Sequence, residues 1–233
     1  QANGSDETVK GASFDAKTGS VTVPARTVAV FTQAAGERID PTVTPDPDTA
    51  QWVASGDGRW WLRYPDGSYP ANERVVRDGV TYSFDANGWM KTGWQVEDGA
   101  WRYYAPSGAM ATGWTAVGGT WYYLDPDTGV MVTGWLKDGD TWYYLHGSGA
   151  MATGWVNLGG AWFYLNGNGS MATGWAKLGG TWYYLTESGQ MAIGWVKDGG
   201  SWYFCHPSGA MATGRVVIGG TAYTFDGSGR WVA

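Results

Sequence analysis

The sequence predicts an all-β protein, a solenoid of stacked β-hairpins preceded by a short β segment. Glycine-tryptophan pairs recur at an almost constant spacing of 20 residues, and all seven methionines follow the same spacing. The 233 residues include 38 Gly, 17 Trp and 14 Tyr, whereas charged residues make up only 15%. Glycine and aromatic residues on a fixed period are typical of short strands joined by tight turns.

Each repeat is predicted to be one hairpin followed by a connector. In "GWVKDGGSWYF", residues 194–204, two aromatic strands flank a glycine-rich turn. Such turns need positive φ angles, which glycine adopts at no steric cost. If the loop has two residues, we expect the two Trp of a unit to face each other across the hairpin. A three-residue loop would offset them by one, and the sequence leaves both lengths open. An isolated hairpin is marginal in water, so stacked copies are expected to bury each other's faces.

The chain divides into three predicted parts. Residues 1–40 lack Trp and contain two predicted strands, in "GSVTVP" and "RTVAVFTQ". We interpret this part as the C-terminal remnant of a β-sandwich domain that is mostly missing from the sequence. Residues 41–51 contain three prolines and are predicted to form a stiff, extended linker. The repeat solenoid follows at 52–233, with divergent repeats at 52–92, full repeats at 93–213 and a capping repeat at 214–233.

Composition argues against several functions. The net charge of −6 argues against nucleic-acid binding, because phosphate contacts need clustered Lys and Arg. No apolar run is long enough to span a membrane. The single cysteine, Cys205, occupies a slot that holds Leu in other repeats and is interpreted as a small buried residue. Acidic residues lie mainly in turns, so the chain is predicted to be non-catalytic, with no cofactor and no metal site.

The paired tryptophans are the candidate ligand-binding residues. Trp is rarely fully buried, and Leu or Val would fill a stack of hairpins more simply. Two Trp of one hairpin and an aromatic ring of the next would form an open cage at their junction. Such a cage suits a quaternary ammonium group, which gains about 0.5–2 kcal/mol from each ring contact. A flat Trp face also suits the apolar face of a sugar.

In the second strand of each unit, the second Trp is followed by a middle position and then by a third position. The substitution pattern favours the residue at the third position as the third wall of the cage. That position becomes Ser83 and Thr224 in the end units that lack the Trp pair, whereas the middle position stays aromatic there, as Tyr82 and Tyr223. The middle ring is therefore interpreted as packing. A sixth pair, Trp195 and Trp202, would meet Thr224 and is not counted. The five predicted sites are Trp94, Trp101 and Tyr123; Trp114, Trp121 and Tyr144; Trp135, Trp142 and Tyr164; Trp155, Trp162 and Tyr184; and Trp175, Trp182 and Phe204.

The segment "MATGWVNLGGAWFYLNGNGSMATGW", residues 151–175, resembles the choline-binding repeats of Gram-positive cell-wall hydrolases and surface proteins. The resemblance extends over roughly residues 72–233. It implies a left-handed solenoid of β-hairpins and, as ligand, choline on teichoic or lipoteichoic acid. It also implies an extracellular location at the cell surface or cell wall.

Two further resemblances widen the functional hypotheses. The glucan-binding repeats of glucansucrases and clostridial toxins are also similar, which makes an α-glucan such as starch or dextran the alternative ligand. The strict second Trp favours choline. The stretch "GASFDAKTGSVTVPARTVAVFTQ" resembles the last strands of the C-terminal β-sandwich of pullulanases and related α-amylase-family enzymes. This implies a secreted glycoside hydrolase as the parent protein. A purely structural spacer is the third hypothesis.

Overall fold

The computed structural model describes residues 13–15, 20–22 and 45–232, which divide into two compact units at Ala111 and Thr112. The described part of the first unit contains antiparallel hairpins of consecutive strands. Its strands are β1 (Ser13–Asp15), β2 (Ser20–Thr22), β3 (Gln51–Ala54), β4 (Trp60–Arg63), β5 (Arg74–Arg77), β6 (Val80–Ser83), β7 (Gly93–Glu97) and β8 (Ala100–Tyr104).

The second unit continues the same pattern, and its last hairpin gains a third short strand. Successive antiparallel hairpins confirm the predicted fold class. The strands are β9 (Gly113–Val117), β10 (Thr120–Leu124), β11 (Gly134–Asp138), β12 (Thr141–Leu145), β13 (Gly154–Leu158), β14 (Ala161–Leu165), β15 (Gly174–Leu178), β16 (Thr181–Leu185), β17 (Gly194–Asp198), β18 (Ser201–Cys205), β19 (Gly214–Ile218), β20 (Thr221–Phe225) and β21 (Trp231–Val232).

From the β5–β6 hairpin onward, the hairpin loops have two residues, whereas the β3–β4 loop spans residues 55–59. In the β9–β10 hairpin, Val117 pairs with Thr120, and the loop residues Gly118 and Gly119 have φ of 59° and 82°. Two consecutive positive φ angles define the turn whose twist matches that of the flanking strands. Glycine at both positions therefore fixes the loop length that the sequence left open.

This loop does not place the two tryptophans of a unit opposite each other. Trp114 pairs with Tyr123, and Trp121 pairs with Ala116. The expectation that a two-residue loop would make the tryptophans face each other was wrong, because their positions are offset by two along the ladder. Since side chains alternate between the faces of a strand, both Trp and Tyr123 still lie on one face, with the Trp pair on a diagonal.

Connectors join each hairpin to the one before it. The amide of Met151, which follows the β11–β12 hairpin, donates to the carbonyl oxygen of Trp121 in the preceding hairpin at 2.8 Å. The same bond recurs from Met171 to Trp142, from Met191 to Trp162 and from Met211 to Trp182. Each Met side chain fills the space beside a glycine of the next connector, where a Cβ atom would overlap it. These contacts explain why Met and Gly share the period of the repeat.

A column of residues at the ends of the second strands forms the core. Leu124, Leu145, Leu165, Leu185 and Cys205 are all 0% exposed. Cys205 therefore occupies the buried apolar slot that the sequence predicts, and burial raises the pKa of its thiol to about 11. The thiol stays protonated and inert at neutral pH.

The front of the chain is only partly described. The β1–β2 pair includes part of the predicted "GSVTVP" strand, whereas the predicted "RTVAVFTQ" strand and residues 41–44 lie outside the described residues. Within the predicted linker, Pro47–Thr49 form a 3-10 turn and β3 begins at Gln51. The Asp46 carboxylate accepts the amide of Asp48, and Pro47 favours the first position of such a turn. The extended linker is therefore not seen at 47–51.

Candidate functional site

Tryptophan rings stand perpendicular to one another at the junctions between hairpins. The ring centroids of Trp135 and Trp142 lie 6.3 Å apart with an interplanar angle of 89°. Phe163, in the second strand of the next hairpin, lies 5.0 Å from Trp135 at 67°. Three rings from two hairpins thus form adjoining walls of one box.

The ring that the next hairpin contributes is the middle one of its aromatic strand. The pattern seen for Phe163 recurs for Trp114 with Tyr143 at 4.7 Å, Trp155 with Tyr183 at 4.9 Å and Trp175 with Tyr203 at 4.7 Å. The sequence instead assigns this wall to the third position, which holds Tyr144, Tyr164, Tyr184 and Phe204. The structure does not bring those rings against the preceding Trp as the closing contact.

The third-position ring packs within its own hairpin. Tyr123 lies 5.2 Å from Trp114, and Tyr144 lies 5.2 Å from Trp135. Tyr164, Tyr184 and Phe204 make the corresponding contacts with Trp155, Trp175 and Trp195. Because this ring is the cross-strand partner of the first Trp, it disappears wherever that Trp does: Arg74 pairs with Ser83, and Arg215 with Thr224. The covariation in the sequence reports this pairing and not a contact between hairpins.

The indole rings are open to solvent. Trp135 is 37% exposed and Trp142 is 41% exposed, far above the core residues. A cavity of about 340 Å³ lies against them, lined also by Phe163, Met171, Glu187 and Ser188. None of these four is among the site residues predicted from the sequence; Met171 belongs to the connector after the second hairpin of the junction, and Glu187 to the connector after that. The box is therefore a concave, largely apolar site with a carboxylate at its edge.

Two junctions have a carboxylate bonded to an indole. The Nε1–H of Trp114 donates to Asp138 Oδ2 at 3.0 Å, and that of Trp175 to Asp198 Oδ2 at 3.2 Å. Burial and then the nearby Asp138 charge raise the pKa of Tyr123, and burial and Asp198 do the same for Tyr184. The same strand position holds Leu158, Leu178 and Ile218 in other repeats. The junctions thus differ in local negative charge.

The first unit contains one more Trp pair of this kind. Trp94 and Trp101 lie 6.3 Å apart at 85°, Trp101 is 47% exposed, and Tyr103 packs on Trp94 at 5.2 Å. Tyr123, which the sequence assigns to this pair, is in the second unit and is the cross-strand partner of Trp114.

Two family models match the sequence of the repeats. The model for choline-binding repeats matches residues 74–112, 111–153 and 152–194, and a model for a cell-wall-binding repeat matches residues 193–211. Together they cover more than half of the chain. The chain belongs to the choline-binding repeat family.

Solved structures with choline-binding repeats have the same fold. Choline-binding protein F of Streptococcus pneumoniae, solved with a peptidoglycan analogue, is 37% identical over 75% of this chain and 70% of its own, with a TM-score of 0.66. The choline-binding domain of CbpL from the same organism is 31% identical over 78% of this chain and 96% of its own, with a TM-score of 0.58. The pneumococcal autolysin LytC is 32% identical over 78% of this chain but only 42% of its own, with a TM-score of 0.60.

Other expectations fare differently. No curated protein matches the chain in sequence. The family-model matches begin at residue 74 and give no support to the predicted resemblance of residues 11–33 to pullulanases. The α-glucan alternative is not favoured. Among the described residues, no helix is long and apolar enough to cross a membrane.

One junction between choline-binding repeats of the first unit is polar. Its centre is the Glu97 carboxylate, at the end of β7, whose side chain is 10% exposed. This carboxylate accepts hydrogen bonds from Ser83 Oγ, from Lys91 Nζ at 2.9 Å and from the Tyr104 hydroxyl at 2.7 Å. We call these four residues the Glu97 network. Arg74, which replaces the first Trp of the repeat, lies 3.9 Å from Glu97 and 3.0 Å from Asp98.

The Glu97 network stabilises the ionised form of the Glu97 carboxylate. Burial acts to raise the pKa of Glu97, but the hydrogen bonds from Ser83, Lys91 and Tyr104 outweigh burial and lower it. Burial and the bond to Glu97 raise the pKa of Tyr104 to about 12. The Arg102 guanidinium, in the slot of the middle ring, is buried and donates to the Glu97 carbonyl oxygen at 2.8 Å. A cavity of about 370 Å³ beside this junction is lined by charged and polar residues. The cationic side chains of Arg74 and Arg102 therefore occupy two positions that are aromatic in other repeats.

Proposed function

We propose that the repeats are a non-catalytic module that holds choline groups of cell-wall teichoic acid in the boxes between hairpins. Each box would use the two tryptophans of one choline-binding repeat as binding residues, as the sequence predicts, and the middle aromatic ring of the next repeat. The observation that carries this proposal is the open box of Trp135, Trp142 and Phe163 with its cavity of about 340 Å³.

The chemistry of the box suits a trimethylammonium group. Such a group cannot donate ordinary hydrogen bonds, and the box lining consists mainly of ring faces and a methionine, with Glu187 as a source of negative charge. Perpendicular rings surround a compact cation on several sides, and each ring contact contributes about 0.5–2 kcal/mol. A sugar would instead favour one flat platform with polar groups at its edge. The carboxylates of Glu187, Asp138 and Asp198 add negative charge near individual boxes.

Repetition compensates for weak single sites. A box with a few ring contacts is expected to bind free choline weakly. A teichoic acid chain carries many choline groups, so several boxes in one chain bind it with avidity. The module would thereby anchor a secreted parent protein at the cell surface. We infer a glycoside hydrolase as that parent from the sequence resemblance of residues 11–33 alone.

Calorimetry with a matched pair of ligands tests the ligand class. Choline and 3,3-dimethylbutanol have the same shape, but only choline is charged. We expect saturable heat with choline and at least tenfold weaker binding of the neutral alcohol. Equal binding of both would indicate a simple apolar groove. Heat with maltooligosaccharides or dextran but not with choline would favour the α-glucan alternative.

A pair of single variants tests which ring closes the box. With 5-fluorotryptophan incorporated, a Trp142 resonance assigned by Trp142→Phe reports on this box alone. We expect Phe163→Leu to weaken choline binding at Trp142 by about three- to tenfold through the lost cation–π contact. Tyr164→Leu, its matched control, should leave that resonance titrating as in the parent. The reverse result would restore the assignment to the third position. In the spacer hypothesis, Trp155→Leu with Trp162→Leu would leave every ligand interaction intact.

A further inference from the structure

The last tryptophan pair of the chain has the geometry of the pairs before it. Trp195 and Trp202 lie 6.2 Å apart at 88°, close to the 6.3 Å and 89° of Trp135 and Trp142. The sequence gives no site here because Thr224 occupies the third position of the next strand. In the structure, Thr224 is the cross-strand partner of Arg215 and does not decide whether the box closes. The reason for excluding this junction is therefore removed.

The closing hairpin supplies the missing wall. Tyr223, the middle ring of β20, lies 4.9 Å from Trp195 at 75°, as Phe163 does for Trp135. Trp231 on β21 adds a further ring, 6.1 Å from Trp195 and 6.1 Å from Tyr223. The junction thus has an aromatic wall that no other described junction has.

Trp231 stands in the methionine position of the repeat. Met171, Met191 and Met211 are each 20 residues apart, and 20 residues further on is Trp231. The backbone places it as a connector methionine is placed: Trp231 pairs with Phe225 at the end of the second strand, as Met171 bridges to Leu165. Met171 lines the cavity of the Trp135 box. Trp231 therefore replaces a thioether wall with an indole, which has the strongest ring face for a cation.

The three tryptophans of this junction remain partly exposed to solvent although they contact neighbouring rings. Trp195, Trp202 and Trp231 are 38%, 41% and 43% exposed, which matches the 37% and 41% of Trp135 and Trp142 beside their cavity. The Lys197 ammonium lies 5.6 Å from the Trp202 centroid, so this ring already attracts a cation of the protein. A primary ammonium is strongly hydrated and mobile, and a quaternary ammonium is not, so the exposed Lys197 side chain is displaced at little cost.

We propose that Trp195, Trp202, Tyr223 and Trp231 form a sixth, four-ring site for a quaternary ammonium group. This inference rests on the proposed function and extends it to a junction where the sequence predicts no site. The extra indole binds more strongly than the methionine it replaces. Replacing Trp231 by Met, the residue of the other repeats, should therefore weaken binding at this junction by about three- to tenfold.

Fluorine NMR on the full chain tests the sixth site directly. The protein is labelled with 5-fluorotryptophan, and the resonances of Trp231, Trp202 and Trp142 are assigned by single replacements with Phe. Choline is then titrated into the unmodified sequence and into Trp231→Met. We expect the Trp231 and Trp202 resonances to shift saturably, and the dissociation constant at Trp202 to rise by about three- to tenfold in Trp231→Met while that at Trp142 stays unchanged.

The outcomes separate this inference from the proposed function. If the Trp142 resonance shifts and those of Trp202 and Trp231 do not, the sixth site is wrong and the function stands. If Trp202 titrates identically with Trp or Met at 231, Trp231 is not a wall. If no tryptophan responds to choline, the proposed function itself fails. Since the titration of the unmodified sequence already decides the first question, the test does not depend on Trp231→Met folding.

Discussion

The junction around Glu97 and the junction around Trp135 have the same backbone and opposite chemistry. In both, the last residue of a first strand and the middle residue of a second strand lie at the preceding hairpin. At Trp135 these positions hold Leu158 and Phe163, and the box stays open. At the polar junction they hold Glu97 and Arg102. The Glu97 carboxylate accepts hydrogen bonds from Ser83 and Lys91, and Arg102 donates to the Glu97 carbonyl oxygen. The comparison teaches that the repeat fixes where side chains of successive hairpins meet. The residues at a few positions decide whether that junction is an open aromatic box or is filled by the protein's own charged groups.

The largest expected effect comes from removing the centre of the polar junction. Glu97→Ala leaves the Lys91 ammonium, the Ser83 hydroxyl and the Tyr104 hydroxyl without their acceptor. Unpaired, partly buried groups of this kind cost about 2–4 kcal/mol in the free energy of unfolding. Urea denaturation measures the change, and Glu187→Ala, an exposed connector carboxylate, is the matched control. A loss below about 0.5 kcal/mol for Glu97→Ala would mean that the network contributes no stability.

The same network predicts a pH window for stability. The folded-state pKa of Glu97 is lowered, so its contribution is present above the ordinary Glu value and is lost as pH falls through the folded pKa. The pKa of Tyr104 is raised to about 12, so its contribution is present below the ordinary Tyr value and is lost as pH rises toward 12. We expect the melting temperature of Glu97→Gln to be lower than that of the parent at pH 7, with the gap closing in acid. A constant gap down to pH 2 would contradict the assignment.

Placing the residues of the polar junction at the equivalent positions of an aromatic junction should convert the aromatic junction into a polar one. Trp155→Arg with Tyr164→Ser copies the Arg74–Ser83 pair into an aromatic junction. We expect one choline site to be lost in equilibrium dialysis, because a guanidinium then stands where the ligand cation would bind, with a loss of about 1–2 kcal/mol in stability. Trp155→Phe with Tyr164→Phe is the control that retains the rings. An unchanged number of bound choline molecules would show that the first Trp is no part of the site.

The smallest expected effect concerns the carboxylates that accept indole N–H bonds. Asp138→Asn keeps the shape but removes the charge beside Trp114, and we expect choline binding there to weaken by about two- to threefold at low salt. The difference should shrink in 0.5 M NaCl, where the Debye length falls to about 4 Å. Asp140→Asn changes the net charge equally without touching an indole contact. An equal effect of both variants would assign the change to overall charge.

The period of the chain was enough to predict much of the fold. Glycine pairs such as Gly118 and Gly119 confirm the hairpins, and the spacing of Trp and Met fixes where connectors return. The sequence assigned the contact between hairpins to the third-position ring, whereas the structure places the middle ring there, because covariation cannot say which contact it reports. Tyr164 varies with Trp155 as a partner within one hairpin, whereas Phe163 meets Trp135 across two. Pairing positions around a two-residue loop would have revealed this from the sequence.

The polar junction could not be predicted from the sequence. Arg102 in an aromatic position and Glu97 at the end of β7 each look like surface residues in the sequence. The stagger between successive hairpins brings Glu97 to Ser83, and Arg102 donates to the Glu97 carbonyl oxygen within its own hairpin. The 3-10 turn at Pro47–Thr49 was missed for a different reason, because its local signals, Asp46 and Pro47, lie among prolines that favour an extended chain. A repeat pattern in the sequence does not predict contacts that depend on how neighbouring hairpins are staggered.

The bond from the connector amides of Met151, Met171, Met191 and Met211 to a Trp carbonyl of the preceding hairpin has an evolutionary consequence. Because the bond joins Met171 to Trp142 as it joins Met191 to Trp162, excising or duplicating a stretch of 20 residues brings equivalent partners together again. Unequal recombination within such a gene therefore yields shorter or longer arrays whose new seam is already a native one. The number of aromatic boxes can therefore change by copying alone, without a new interface between hairpins.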